Sequence, residues 1–516
     1  VVIYPIDAQT AIFPLGSGTS SDPYKIATLE NLFWLSQTDS VWDDNAYFIQ
    51  TEDIDAGNTA TWGVIGFYPI GNNSTNFQGH YNGKGHIIKQ LHVNLPNNYA
   101  GLFGYTKNAT IDSLGLTDIV ISGYNHVGGL VGYNSSSTIS GSYATGTIQN
   151  ANNDIGGLVG VNDFSIISNS YATVTVSGQS TLGGLIGQNK STSTVLNSTA
   201  AGNVHGTNSI GGLVGNNDSS TISYSSASGN ISGTQAFVGG LVGENRTSLV
   251  SKSYSTGIVS GTNVDIGGLI GGNRASSKVI NTYATGNVSG LGGVGGLIGT
   301  NETNSSIANS YSTGRVSASS ESGGLLGVNY LSKLNNCYWN SEKSNQTAGI
   351  GNDYSNNQTV NALTITQMKQ KNSFVNWDFD SVWSINEGTS YPFLLSAAAP
   401  TAVNKFTPYT SNGYYLTIAP VLTIKNEKMM SHISGKVTFS IVTSGPADVH
   451  LMICNIAGKL LYNNQINSNS HDKIVNMTWD MQNSRGQPTG SGVYLITARV
   501  HNRNGSTHLL TAKMIR

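Results

Sequence analysis

The sequence predicts an all-β chain: a parallel β-helix of about 28 residues per coil, right-handed by expectation, followed by a small Ig-like β-sandwich. Three observations predict it. A Gly-Leu-apolar-Gly marker recurs at Gly101, Gly129, Gly157, Gly184, Gly212, Gly240, Gly268, Gly296 and Gly324, in steps of 28, 28, 27, 28, 28, 28, 28 and 28 residues. Such a long fixed period is the signature of a solenoid. Within each period three strand-length segments alternate with Gly, Ser and Asn turns, as in `GLVGENR`, `SLVSKSYSTG` and `GIVSGT`. After Tyr414 the text changes to alternating strands, `KVTFSIV`, `DVHLMICNI`, `KLLYNNQI`, `IVNMTWD`, `GVYLITARV` and `HLLTAKMI`, the pattern of a sandwich.

Composition narrows the function classes. Of the 516 residues only 10% are charged, and the formal net charge is -2. That balance gives no electrostatic footprint for nucleic acid or an anionic membrane. No apolar run is long enough to span a bilayer. Cys337 and Cys454 fall in different predicted domains, so no disulfide framework or cysteine metal site follows. The chain begins at Val1 without an initiator Met, as a processed export product would.

In chain order, residues 1–22 read as an extended segment, in which `VVIYPI` has strand propensity and Pro5 and Pro14 oppose a central-strand position. Val1, Val2 and Ile3 are candidates for pairing with an exposed edge on a second molecule. Residues 23–100 form an N-terminal cap and irregular first coils. There Thr28 caps a short helix through Ser36, with Leu29, Leu32, Phe33 and Leu35 apolar. The regular coils occupy 101–340. Residues 341–396 close them, with `LTITQMKQKNSFV` suggesting a short amphipathic helix; 397–413 is a linker, and 414–516 the sandwich.

Stacking the coils aligns three apolar columns: the marker Leu from Leu102 to Leu325, a second from Ile139 to Leu334, and a third from Ile148 to Val316. Columns on one axis make a continuous core, each coil about 4.8 Å above the last. Beside them stands an unbroken Asn column, Asn134, Asn162, Asn189, Asn217, Asn245, Asn273, Asn301 and Asn329. Asn tolerates a coil corner and its amide can bond to its copy one coil away, so a structural ladder is expected before a ligand-binding face. The next column, Asp163, Lys190, Asp218, Arg246, Arg274 and Glu302, alternates in sign at four of its five steps and favours correct register. Tyr143, Tyr171, Tyr254, Tyr283, Tyr311 and Tyr338 form a stripe read as packing before a sugar platform.

Strict strand alternation would send Val131, Val159, Ile186, Val214, Val242, Ile270 and Ile298 to the face opposite the marker Leu. If the strand is straight, these seven form an exposed apolar stripe suited to lateral association; if the glycines bend it, they are buried.

Motif and flanks together resemble the GLUG-motif repeats of bacterial exported proteins, including adhesin-like surface proteins and a flanking region of some IgA-cleaving metallopeptidases. The flanks are `GSGTSSDPYKIATLENL`, Asp53 to Asp55, `FQGHYNGKGHIIKQL` and `VWSINEGTSYPFL`. The C-terminal part, `DVHLMICNIAGKLLY`, `MTWDMQNSRGQPTGSGVYLITARV` and `TAKMIR`, is similar to type IX secretion sorting domains and the Ig-like domain of the flagellar hook-cap protein. That resemblance implies an origin in the Bacteroidota and passage through the outer membrane.

Catalytic and metal motifs are sparse. His126 and Asp154 stand two residues before successive Gly-Gly pairs and are the best acid–base candidates, although an incidental loop pair is the plainer reading. Asp53 and Asp55, with Glu52, offer oxygen ligands but lack the rest of a calcium loop, so a turn role is expected and no metal or other cofactor is assigned. No `HExxH`, phosphate loop or nucleophile elbow occurs. The leading expectation is therefore a non-enzymatic extracellular surface protein with a structural or adhesive role. Its partners would be other copies of itself, in a filament, or other cell-surface components, glycans included. A carbohydrate-binding or carbohydrate-cleaving β-helix is the alternative. Ice binding, through Thr145, Thr173, Thr256, Thr285 and Thr313, is a third.

Overall fold

The computed structural model describes residues 9–355 and 360–395, and beyond them the strands of a C-terminal unit with Gln482. Two compact units result, Val1–Ala399 and Pro400–Arg516. Val1, Val2 and Ile3, proposed for strand donation, and the linker 397–413 lie outside the described residues.

The first unit is a parallel β-helix whose coils contribute to three sheets of 12, 24 and 10 strands. The 10-stranded sheet runs through Phe103–Lys107, Val131–Ser135, Val159–Asp163 and onward, one strand per coil, to Ile350–Asp353. The 12-stranded sheet stacks the second column in register, as in Ile139 on Ile167 on Val195. One core runs through the stack from Ile26 to Trp339.

The seven positions from Val131 to Ile298 are each 0% exposed, so the exposed apolar stripe does not exist. The reason lies in the Gly-Gly-Leu bend before each strand of the 10-stranded sheet. Leu130 N and Val131 N both donate to Leu158 O, at 2.9 and 3.1 Å, and Leu158 N and Val159 N both donate to Leu185 O. Two successive N–H groups aimed at one carbonyl break the two-residue alternation, so Leu and Val enter the core together. The bend needs glycine: a Cβ on Gly157 would lie 2.1 Å from Gly184 O of the next coil.

At the N-terminal end the helix Leu29–Gln37 starts on Thr28, whose hydroxyl accepts from Asn31 N at 3.3 Å. Leu32, Trp34 and Leu35 enter the core while Phe33 stays on the outer side. At the other end, the predicted amphipathic helix is replaced by two 3-10 turns, Gln367–Lys369 and Lys371–Ser373, separated by an extended Gln370. This closing segment lies against the Tyr stripe. Met368, Phe374, Trp377, Trp383 and Leu394 cover Tyr283, Tyr311 and Tyr338, with Tyr311 Oη donating to Pro392 O at 2.5 Å. The stripe stacks in parallel pairs, Tyr143 on Tyr171 at 4.6 Å and Tyr254 on Tyr283 at 4.7 Å. Cys337 is free and buried in the solenoid core, and burial pushes its thiol up to about 12.

Among the described residues the second unit has seven strands in two antiparallel sheets, the strand complement of a small Ig-like sandwich. One sheet orders Tyr415–Val421, Lys436–Val442 and Ile474–Trp479; the other orders Leu460–Asn467, Ala447–Asn455, Val493–Asn502 and Thr507–Ile515.

Candidate functional site

The two sides of the 10-stranded sheet divide the work. Inward, the Asn column is a chain of buried amides. Each Nδ2 donates to the Oδ1 of the next coil: Asn134 to Asn162 at 2.9 Å, then Asn189, Asn217, Asn245, Asn273 and Asn301 at 2.8 Å per step, and Asn329 at 3.0 Å. Its ends are chemically matched. Thr106, in the same column, donates its hydroxyl to Asn134 Oδ1 at 2.8 Å, and Asp353 accepts from Asn329 Nδ2 at 3.0 Å. A donor heads the chain and an acceptor ends it, so every amide between is satisfied in one polarity. Buried away from ligands, these amides hold the coils in register.

Two serine columns, which the sequence reading passed over, do the same for backbone donors at the corners. Ser137 N donates to Ser165 Oγ at 2.9 Å, and the relation repeats to Ser277 and Ser305. Ser142, Ser170, Ser198, Ser225 and Ser253 form the second. Their period equals that of the marker, and that was the available signal.

Outward, the sheet aligns Tyr105, Tyr133, Val161, Gln188, Asn216, Glu244, Gly272, Thr300, Val328 and Asn352. A second column folds over it from the corner two residues before the first Gly of each bend, which is Gly101 itself in the first coil and the Gly preceding the marker in the others. Tyr99, His126, Asp154, Thr181, Ser209, Phe237, Asp265, Gly293 and Glu321 all have φ between 45° and 71°, and only one is glycine. The left-handed backbone costs about 1 kcal/mol per non-glycine residue, and it brings these side chains onto the outward column of neighbouring coils. Tyr99 stacks on His126 at 5.2 Å and meets Tyr133 edge-on. Phe237 lies over Gly272, where a Cβ would come within 2.8 Å of its ring, and Arg274 caps that ring at 4.7 Å. Asp265 accepts from the Thr300 hydroxyl, and Glu321 from Asn352 Nδ2 at 3.3 Å.

The ionisable groups of this face are held in small sets. His126 Nδ1 is 3.1 Å from Asp154 Oδ2 but off the hydrogen-bonding direction, so the atom is buried without a hydrogen bond. Tyr133 Oη donates to Asp163 Oδ2 at 2.8 Å, and burial followed by this bond raises the phenol pKa. Arg274 bridges Glu302 at 2.9 Å and Glu244 at 3.2 Å. Burial raises the Asp265 carboxyl above its ordinary value, against the Thr300 bond and the Arg274 charge, which lower it. The alternating charge column closes at one step among the described residues, Arg274–Glu302. At the Asp163–Lys190 step an aromatic neighbour competes: Lys190 lies over the Tyr133 ring at 5.3 Å, and Asp163 is taken by the Tyr133 hydroxyl.

Asp53 and Asp55 each fasten a turn. Asp53 Oδ1 accepts from Ile87 N at 3.0 Å and lies 3.1 Å from His86 Nδ1; Asp55 accepts from Gly57 N at 3.0 Å and pairs with Lys89 at 3.3 Å. These backbone bonds, then the basic neighbours, lower both carboxyl pKa values. Among the described residues no group of three or more His, Cys, Asp or Glu side chains is arranged to hold a metal ion. No described helix is long and apolar enough to cross a membrane. The Thr column is discontinuous as a surface, since Thr173 and Thr256 are exposed while Thr313 is buried.

GLUG motif repeats are present: the family description "The GLUG motif" matches residues 123–149, 151–177, 206–232 and 290–317. The chain is 36% identical over 123 residues to the "Putative Gly-rich membrane protein" of Evansella cellulosilytica, a match covering 22% of this chain and 14% of that one. It is 35% identical over 122 residues to halomucin of Haloquadratum walsbyi, covering 23% of this chain and 1% of that one. The matches therefore span only a small part of these curated relatives. Among solved structures, "a putative immunoglobulin A1 protease from Bacteroides ovatus" aligns over 74% of this chain and 95% of its own, at 18% identity. Its TM-score of 0.32 is too low for the likeness to bear on fold or activity.

Proposed function

We propose that this chain is an extracellular, non-enzymatic bacterial surface protein, a stiff β-helical scaffold that displays binding faces, with its C-terminal unit serving export or anchoring in the manner of a type IX sorting domain. The observation that carries the reading is the state of the ionisable groups on the outward face. Most are matched to close neighbours, Tyr133 to Asp163, Asp265 to Thr300, Arg274 to Glu244 and Glu302, while His126 and Asp154 lie 3.1 Å apart without a hydrogen bond. A hydrolase or lyase instead needs an acid and a base converging on one substrate position. The two relatives, a Gly-rich membrane protein and a halomucin, support the surface assignment. Lateral association through the Val131 to Ile298 column is no part of the proposal, because that column is core.

The test uses an antibody raised against the solenoid, applied to intact producing cells, with a deletion strain compared for attachment to glycan-coated and bare surfaces. Labelling of intact cells and reduced attachment of the deletion strain are expected. Antigen reached only after lysis, or depolymerisation of a glycan by the purified chain, would overturn the reading.

A further inference from the structure

Away from the outward sheet face, the N-terminal cap carries an open cavity of about 420 Å³ lined by Gln9, Phe33, Gln37, Trp62, Ile65 and Tyr68, with Val64 and two glycines between. We propose that this cavity binds a neutral saccharide, and so gives the adhesive reading above, on which it rests, a specific site.

The cavity is built, and its apolar rim is held in place. Helix Leu29–Gln37 puts Leu32 and Leu35 into the core, which leaves Phe33 on the opposite side, facing Trp62 at 5.1 Å and 66°. Trp62 is backed by Phe67 at 6.3 Å. The loop from Trp62 turns sharply: Gly66 N donates to Trp62 O at 3.0 Å, and Gly66, at φ 75°, would place a Cβ 2.5 Å from His92 O. Asn94 then fixes the rim twice, its N donating to Ile65 O at 2.7 Å and its Nδ2 to Val64 O at 3.0 Å. Val64 is 81% exposed on a loop tied through its own carbonyl and that of Ile65, so its exposure is imposed by the fold and costs apolar hydration. An apolar rim held open in this way is pre-organised for a ligand.

The lining chemistry selects the ligand class. None of the lining side chains is ionisable near neutral pH, which gives no charged anchor for a phosphate or a carboxylate. What remains is aromatic surface, suited to the C–H face of a pyranose ring, and two primary amides suited to its hydroxyls. Gln37 Nε2 is tethered to Ser36 Oγ at 3.1 Å, which leaves its Oε1 as a placed acceptor. The volume falls in the range of small-molecule sites, roughly 300–1,000 Å³.

The test is a panel of neutral mono- and oligosaccharides against the full chain, by glycan array and then calorimetry. At least one should bind, and Trp62→Ala should weaken it on the order of tenfold or more, as loss of a buried aromatic anchor does. Gln37→Ala should weaken it less, Trp62→Phe should keep part of it, and Tyr330→Ala, distant in the chain, should change nothing. Matched melting temperatures separate lost binding from lost folding. The proposal is overturned if no member of the panel binds, if Trp62→Ala binds as well as the parent, or if binding appears only after residues 1–8 are removed, which would assign the cavity to the chain's own start. A chain that labels intact cells yet binds no saccharide would overturn this site alone; one that binds saccharide but stays inside the cell would overturn the surface assignment alone.

Discussion

Asn217→Ala is the sharpest probe of the buried amide chain. In the native protein Asn217 Oδ1 accepts from Asn189 Nδ2 and its Nδ2 donates to Asn245 Oδ1, both at 2.8 Å, with all three residues fully buried. Truncation strands one donor and one acceptor, at about 1–3 kcal/mol each, so a loss of roughly 2–6 kcal/mol is expected. Asn217→Asp adds a diagnostic. As a carboxylate it can accept from Asn189 but has no proton for Asn245 Oδ1; as a neutral acid it has one. Its native pKa must therefore be raised, the native state binds more protons than the unfolded chain, and stability falls as pH rises from the unfolded value through the native one. Urea unfolding of both variants from pH 4 to 8, with amide exchange followed at Val214–Asp218, reads this directly. If Asn217→Ala costs under about 0.5 kcal/mol, or if Asn217→Asp follows the pH profile of the parent, the polarised ladder is not what holds these coils in register.

Three further outcomes follow from the outward face and the closing segment. Gly272→Val should destabilise, because its Cβ would come within 2.8 Å of the Phe237 ring, and Phe237→Ala in the same chain should recover part of the loss, which a double-mutant cycle by thermal melting measures. Asp265→Asn should gain stability relative to the parent as pH rises. The raised native pKa of Asp265 means that the parent loses stability between the ordinary carboxyl value and that raised one, and melting at pH 4 and 7 compares them. Trp383→Ala should cost about 3–5 kcal/mol and speed proteolysis within 364–395, since Trp383 is fully buried over Tyr283 and Tyr311; unchanged protease resistance would detach the closing segment from the Tyr stripe.

Much of the fold could be read from the text because each coil meets the same physical demand at the same offset. The marker Leu, the Ile139 to Leu334 column and the Asn column repeat one residue type for one reason. The stripe from Val131 to Ile298 could not be resolved that way, because alternation assumes a straight strand and the Gly-Gly-Leu bend removes that assumption. The left-handed corner column escaped for a different reason. Its backbone demands a positive φ and no particular side chain, so Tyr99, His126, Phe237 and Gly293 share a conformation without sharing chemistry. Only the fixed distance to the following Gly would reveal it. Pairings such as Phe237 over Gly272 or Asp265 with Thr300 join residues 35 apart, off the 28-residue period, and stay invisible until the corner geometry is known. The cap cavity depends on Phe33 facing away from the core, which the mainly apolar helix text does not specify.

The central claim is that the coils form one continuous scaffold, with binding left to its outer surfaces. Native-state hydrogen exchange on the full chain tests it most directly. The strands from Val131–Ser135 to Leu326–Tyr330 are expected to exchange slowly and together, with protection depending little on coil number. Coils that open independently, with protection falling stepwise along the stack, would contradict it.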